Sequence, residues 1–408
     1  MNCRHCETPL ALDFLDLGSA PPSNALLTSE SLWRPEKWYP LQVKVCTACW
    51  LVQTIDYADR AELFAEDYVY FSSYSSSWVR HAERYVEAMV ERFGLTADAM
   101  VVEVAANDGY LLQFVRERGI PCVGIEPTAS TARAARAKGI EIVEAFLGRA
   151  LGERLMAEGG AADLIAANNV LAHVPDINDF VGGIAALLKP QGVVTFEFPH
   201  LVQLVAQRQF DTVYHEHFSY LSALAVTRIL ARNGLQVFDI EELSTHGGSL
   251  RVFAQRARSG LQTVLPAVAD MLTRERALGL ETSAFYAQFQ GLSNSIKNDC
   301  LAFLLEARKA GKTVAAYGAA AKGNTLLNYA GVKPDLLQFV VDKNPQKQGR
   351  YLPGSRIPVG DPAWLRQRRP DYVAILPWNL REEVAGEIAY IAEWGGRLVT
   401  FVPGFEVL

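Results

Sequence analysis

The sequence predicts an α/β protein in three parts: a small cysteine-bearing module over residues 1–57, a central open-sheet unit over 58–258, and a helical insert leading into a second open-sheet unit over 259–408. Two observations carry this reading. Two C-x-x-C pairs, Cys3/Cys6 and Cys46/Cys49, stand near the N-terminus. Behind them, two separate series of short apolar runs alternate with helical stretches, the pattern of parallel strands joined by crossover helices. With 408 residues, 50% of them hydrophobic, the chain can hold two or three domains with substantial cores. No apolar run reaches the ~18 residues of a membrane span, and there is no low-complexity tract or short repeat.

In the N-terminal module, each C-x-x-C pair can set two thiolates on one tetrahedral ion, and closing the long loop between them lets a segment with little core of its own fold. Structural zinc on Cys3, Cys6, Cys46 and Cys49 is the expectation; a disulfide pair and a redox C-x-x-C are the rival readings. No signal peptide precedes Cys3, and Cys122 and Cys300 are single and in apolar surroundings, which predicts a reducing cytoplasm. His5 could replace one ligand, but four thiolates already complete the shell and leave no open position for Lewis-acid chemistry.

The central unit begins with helical spacing over Ser77–Phe93. The runs Met100–Val104, Cys122–Ile125, Ile140–Val143, Leu164–Ala167 and Val193–Phe198 then read as strands of a parallel sheet. Ser259–Ala310 lacks strand signals and is predicted helical. A second series follows at Thr313–Tyr317, Leu337–Val341, Tyr372–Leu376 and Arg397–Phe401, and the helical insert favours a separate domain over one extended sheet.

The cofactor argument rests on Val101–Leu112, VVEVAANDGYLL. A strand ends in Glu103, a tight loop with Asn107 and Gly109 follows, and a helix begins, at the sheet edge where doubly wound folds bind ligands. The next strand ends in Glu126, where an acid takes both hydroxyls of a ribose. NAD also uses such an acid, but the glycines that admit a pyrophosphate are replaced by Ala105, Ala106 and Asn107. S-adenosylmethionine has a ribose and no pyrophosphate. Glu103, Asn107, Gly109, Glu126 and the polar strand end Asn168-Asn169 are therefore the expected cofactor residues.

For the chemistry, Tyr214–Tyr220, YHEHFSY, packs two histidines, a carboxylate and two tyrosines into seven residues. A metal reading of His215, Glu216 and His217 fails the i, i+4 spacing of helical zinc enzymes, and alternate residues of a strand face opposite ways from their neighbour. General acid–base work asks for less: an imidazole titrating near neutrality, a carboxylate to orient it, a tyrosine to polarise a carbonyl. His173, beyond the fourth strand, joins this group or is structural. Asp67–Ser77, DYVYFSSYSSS, with Tyr68, is a surface loop or a lid.

A second ligand site is read from Thr313–Asn328. A strand runs into Tyr317-Gly318, and Lys322-Gly323-Asn324 opens a helix, offering backbone N–H groups and an ammonium to phosphate without the order of a Walker loop. Asp342 and Lys343 follow the next strand in the manner of a nucleoside-binding loop. The formal net charge of −6 argues against nucleic acid as a partner, yet residues 301–360 carry +6, nine Lys or Arg against three acids. A basic patch inside an acidic protein suits a small phosphorylated ligand. The competing reading is a glycine-rich turn with a solvated basic face.

The C-x-x-C pairs, EVAANDGYLL, GIEP, NNVLAHVPD, YHEHFSY, THGGSLR and YGAAAKGNTLLNY occur in this order along roughly residues 1–405. Together they resemble the zinc-containing deoxysugar C-methyltransferases of bacteria, and within them the C-3′-methyltransferases of nucleotide-linked 4-keto-deoxysugars. The resemblance implies an α/β fold with a zinc-binding module, a central Rossmann-like adenosylmethionine domain and a C-terminal Rossmann-like domain that holds the nucleotide-sugar. It implies that Tyr68, His173, Tyr214, Glu216 and His217 line the reacting centre, with His217 matching the base, and places His246 of THGGSLR with the substrate residues. The departure is mild: both residues before Asn107 are alanine. Which of His217, Glu216 and His173 is the base stays open, as does a monomer against a small homo-oligomer. Two other classes compete, a methyltransferase of a non-sugar activated carbon and a non-catalytic zinc and Rossmann binding protein; YHEHFSY argues against the latter.

Overall fold

The computed structural model describes residues 1–56 and 71–408, and its strands form three sheets among those residues. The central sheet has the order Leu235–Leu243, Ser249–Arg256, Leu188–Pro199, Ala162–Asn168, Val101–Val104, Cys122–Ile125, Glu141–Val143. The last five are parallel, and the first two are antiparallel additions. Alternate residues of the inner strands enter two different cores: Val102 and Ile165 face one, Val101 and Leu164 the other. Val101–Val104 pairs with later strands on both sides, so the chain reverses direction there and opens a crevice at residues 105–110.

Helix Ser76–Phe93 starts where Ser75 accepts from the N–H of Trp78 and stops at Gly94 in the left-handed region (φ 59°). It lays Ala82, Tyr85, Val86 and Met89 against the sheet.

The C-terminal sheet runs Val359–Gly360, Val340–Val341, Val314–Tyr317, Tyr372–Ile375, Arg397–Thr400, Glu406–Val407, parallel except for the last strand. Its first strand, Val314–Tyr317, is again flanked on both sides, which puts a second crevice at residues 318–322. The predicted helical insert is present as Pro266–Ala277, Ser283–Tyr286 and Phe289–Lys309.

The N-terminal sheet holds Leu12–Ala20, Tyr39–Val45 and Val52–Thr54, and its fourth strand, Ser219–Tyr220, comes from the central unit. Phe14 stacks on Phe289 at 4.6 Å, and this sheet shares one core with the long insert helix and with Val314 and Ala316 of the C-terminal sheet. The small module thus borrows a core instead of owning one. Among the described residues no helix is long and apolar enough to cross a membrane.

Candidate active site

One cavity of about 910 Å³ spans both crevices, lined by Asn107, Glu126 and Asn168 of the first, by Lys322 of the second, and by His173 and His217. That volume lies at the upper end of ligand pockets and leaves room for a cofactor beside a second molecule.

At the first crevice the loop after Val101–Val104 is held in the left-handed region at Ala105 (φ 59°), Asn107 (φ 49°) and Gly109 (φ 75°). A side chain on Gly109 would meet Ile140 at 2.4 Å, so this glycine permits a close approach within the protein and does not itself line the cavity. Glu126 is buried, and its carboxylate accepts from the N–H groups of Asn107 and Thr128, both at 2.9 Å. The carboxylate lines the cavity, where a ribose hydroxyl can donate to it. Asn168 Oδ1 and Asn169 Nδ2 have no hydrogen-bond partner among the described residues, although both side chains line the cavity. Buried polar atoms of this kind call for a bound polar molecule, and the set fits the cofactor. Glu103 lies beneath the loop, outside the cavity, and burial raises its carboxyl pKa well above the usual range.

The reacting cluster differs from its sequence reading in one respect. Tyr214–His217 is a turn, closed by His217 N–H to Tyr214 O at 2.9 Å, and the strand begins only at Ser219. The alternation argued for a strand therefore does not apply. His215 points away, toward the carbonyls of Tyr39 and Pro40 at 3.3 Å, and stands outside the cavity. The turn brings the Tyr214 and His217 rings to 4.0 Å, and His173 lies edge-on to His217 at 4.6 Å.

A carbonyl can only accept, so Nδ1 of His217 donates to Thr212 O at 2.8 Å, and Nδ1 of His173 donates to Glu216 O at 2.9 Å. Both imidazoles therefore keep Nε2 as the basic nitrogen. Burial, and for His217 also the neighbouring His173, lowers both pKa values, that of His173 to about 4. They are neutral at physiological pH. The expectation that Glu216 orients His217 is corrected for Nδ1, which Thr212 holds; the Glu216 carboxylate takes Asn24 Nδ2 at 2.9 and 2.7 Å. Tyr68 lies outside the described residues, while Ser72, within them, donates its N–H to Asn107 Oδ1 at 2.9 Å.

Of the expected substrate residues, His246 and Lys322 reach the cavity. His246 has φ 54° and packs 4.9 Å from the Trp78 ring. Lys322 donates to Asn379 Oδ1 at 2.7 Å, lies 4.3 Å over the Trp378 ring, and is pushed down to about 8 by burial. The other six build the second crevice without lining the cavity. Tyr317 donates to Glu387 at 2.8 Å, Lys343 pairs with Glu387, and Asp342 accepts from the N–H groups of Ala319 and Asn344 at 2.8 Å. Gly318 and Gly323 give passage to Pro377 and Leu376, which a Cβ would meet at 2.6 Å, and Asn324 is buried. Asn24, Thr212, Asp211 and Trp378 were not anticipated: Asn24–Glu216 and Trp378–Asp211 cross the chain, and Thr212 acts through its main-chain carbonyl, so none leaves a motif in the sequence.

The four cysteine Sγ atoms lie within 4.8 Å of one another, with Cys3–Cys49 at 3.6 Å and Cys6–Cys46 at 3.4 Å. Four thiolates around zinc at ~2.3 Å stand about 3.8 Å apart, so the set fits the ion; disulfide bonds need about 2.05 Å. His5 is not in this cluster, and its Nδ1 donates to Asn178 Oδ1 at 2.9 Å. Arg4, between two ligands, donates to Pro175 O at 3.0 Å and Thr54 O at 2.9 Å, tying the metal site to the loop that carries His173.

Three family models match the chain: a zinc binding domain over residues 3–64, a methyltransferase domain over 78–240 and a C-methyltransferase C-terminal domain over 244–403. The C-methyltransferase NovU of Streptomyces niveus is 36% identical over 406 residues, covering 100% of this chain and 96% of that protein. A ubiquinone biosynthesis O-methyltransferase of Bordetella avium is 30% identical over 113 residues, 27% of this chain and 47% of its own. Among solved structures, magnesium protoporphyrin IX methyltransferase of Synechocystis with bound SAM shares 16% identity over 44% of this chain and 79% of its own, with a TM-score of 0.34. The match to NovU along the whole length, with a zinc-binding domain ahead of the methyltransferase domain, shows that this chain belongs to the adenosylmethionine-dependent C-methyltransferases.

Proposed function

We propose that this C-methyltransferase acts on a nucleoside diphosphate-linked 4-keto-deoxysugar and methylates carbon three, beside the keto group. One observation carries the reading: the neutral imidazole of His217, with Nδ1 committed to Thr212 O and Nε2 left basic, lines a cavity shared by Glu126 and Lys322. The sulfonium of the cofactor supplies an electrophilic methyl group. His217 Nε2 takes the proton from carbon three, and the electron pair of that C–H bond passes toward the carbonyl oxygen. The Tyr214 hydroxyl supports the charge that develops there; His173, neutral and with its one N–H given to Glu216 O, has no donor left for that oxygen. The same carbon then takes the methyl group, its electron pair forming the new C–C bond as the carbon–sulfur bond breaks, and the proton on His217 leaves to solvent.

The two-crevice architecture supports a bisubstrate reaction, since holding both reactants in one geometry can be worth up to ~7–11 kcal/mol of barrier in favourable intramolecular cases. Lys322 and Lys347 in the cavity lining suit a diphosphate better than an uncharged acceptor. The test is incubation with adenosylmethionine and a thymidine diphosphate-linked 4-keto-deoxyhexose, followed by mass and proton NMR analysis. A single added methyl on carbon three is expected. Methylation on oxygen, or none with this sugar and turnover with a keto compound lacking the nucleotide, would overturn the assignment.

A further inference from the structure

The C-terminal domain reaches the reacting cluster by a route that involves neither substrate nor cofactor. Asp211 lies in the short Phe210–Thr212 turn and is buried, 1% exposed. Its Oδ2 accepts from the indole Nε1 of Trp378 at 2.8 Å, while its Oδ1 has no hydrogen-bond partner among the described residues. Lys322 is close enough for its charge to pull the Asp211 pKa down, yet its ammonium is directed to Asn379 Oδ1 at 2.7 Å and stands 4.3 Å over the face of the same indole. A carboxylate in the interior whose one side-chain donor is a neutral indole destabilises a fold compared with an amide or an alkyl group in its place. Burial accordingly pushes this carboxyl up to about 6. Packing alone gives no reason for an acid here.

The next residue gives one. The carbonyl of Thr212 is the acceptor for His217 Nδ1 at 2.8 Å. We infer that Trp378 is a positioning residue for the base: its hydrogen bond to Asp211 locks the turn whose last carbonyl sets the ring and tautomer of His217. The grip is rigid on the tryptophan side, since a Cβ added to Gly247 would lie 2.7 Å from the indole. It is doubled on the next residue, where Thr325 Oγ1, on the helix Ala321–Tyr329, donates to Val213 O at 3.0 Å. Thr212 Oγ1, bonded to Gln209 O at 2.7 Å, keeps the turn itself stiff. The inference rests on His217 being the base.

The experiment compares Trp378→Phe, Asp211→Ala, Asp211→Asn and the double variant Trp378→Phe/Asp211→Ala with the parent enzyme. The probe is a thymidine diphosphate-linked 4-keto-deoxyhexose, and the readouts are kcat, KM and exchange of its carbon-three hydrogen with deuterated water. Losing a hydrogen bond to a charged group should lower kcat and exchange about 10- to 100-fold in Trp378→Phe and Asp211→Ala, with KM little changed. The double variant should be no worse than Asp211→Ala alone, as for two ends of one interaction. Asp211→Asn keeps an acceptor for the indole and should recover most of the loss. Additive losses, a rise in KM with kcat intact, or no rescue by Asp211→Asn would overturn the inference. If Asp211→Ala does not fold, Trp378→Phe with unchanged exchange overturns it alone. His217→Asn serves as the control: exchange abolished there but intact in Trp378→Phe removes only the positioning role, whereas exchange surviving in His217→Asn removes the base and the inference together.

Discussion

Asn24 and Glu216, 192 residues apart in the chain, meet at the cavity wall, where the Asn24 amide donates to both carboxylate oxygens at 2.9 and 2.7 Å. The loop between the first two strands of the zinc-binding module thereby clamps the turn that carries Tyr214 and His217. Removing the amide strips a buried carboxylate of two hydrogen bonds. Asn24→Ala should lower stability by about 1–3 kcal/mol, the cost of an unsatisfied buried group, and reduce kcat more than it changes cofactor affinity. Denaturant titration with an unshifted midpoint would show that the clamp is not stabilising.

The base itself is testable by a partition of effects. His217→Asn should lower kcat about 10²–10⁴-fold with both ligands' affinities nearly intact, because general-base assistance exists only in the transition state. Glu216→Gln should lose less. Hydrogen exchange surviving in His217→Asn but lost in His173→Asn would move the base to His173.

The pH profile has a direction set by burial. His217 works in its neutral form, and its pKa is held well below the ordinary histidine value, first by burial and then by His173. Activity is present above the folded pKa and lost as pH falls through it. The acid limb of kcat/KM should therefore lie clearly below ~6.5, the unperturbed value, with full rate kept at that pH. A limb centred at or above it would mean that an unshifted histidine, or another group, carries the reaction.

Glu126→Ala should weaken adenosylmethionine binding by ~1.5–3 kcal/mol, the range for hydrogen bonds to a charged acceptor. Calorimetry is the measurement, and unaltered affinity would take Glu126 out of the cofactor site.

Zinc should be required for folding as well as activity. Arg4 sits between two ligands and reaches Pro175 O and Thr54 O, so loss of the metal loosens the segment beyond His173. Cys46→Ser should lose bound zinc, turnover and thermal stability together. A well-folded, fully active protein with no zinc by metal analysis would contradict this.

Much of the plan was legible in the chain because it depends on local spacing. Two C-x-x-C pairs define a metal site through neighbouring residues, and the strand–loop–helix around Asn107 is a contiguous motif, so both were readable, as were nine of the ten parallel strands among the described residues; the two-residue Val359–Gly360 was missed. The added strand Leu235–Leu243 was not: Asp239 and Glu241 interrupt its apolar pattern, and only Arg92 and Arg251, brought by folding, offset their charge. Asp342 and Lys343 read as ligand groups, but the fold spends them on Ala319, Asn344 and Glu387.

Residue type and short spacing gathered Tyr214, Glu216 and His217 as one candidate cluster and the family resemblance added His173, yet their roles depend on partners with no signature in the sequence. The acceptor of His217 is a main-chain carbonyl, and Asn24 and Trp378 come from opposite ends of the chain. The sequence by itself determined which chemistry was available, since that follows from side-chain type and short spacing. The tertiary structure decided which nitrogen of His217 is basic and which groups hold it, because the turn that brings Thr212 O to Nδ1 and the long-range bonds of Asn24 and Trp378 beside it exist only after the chain has packed.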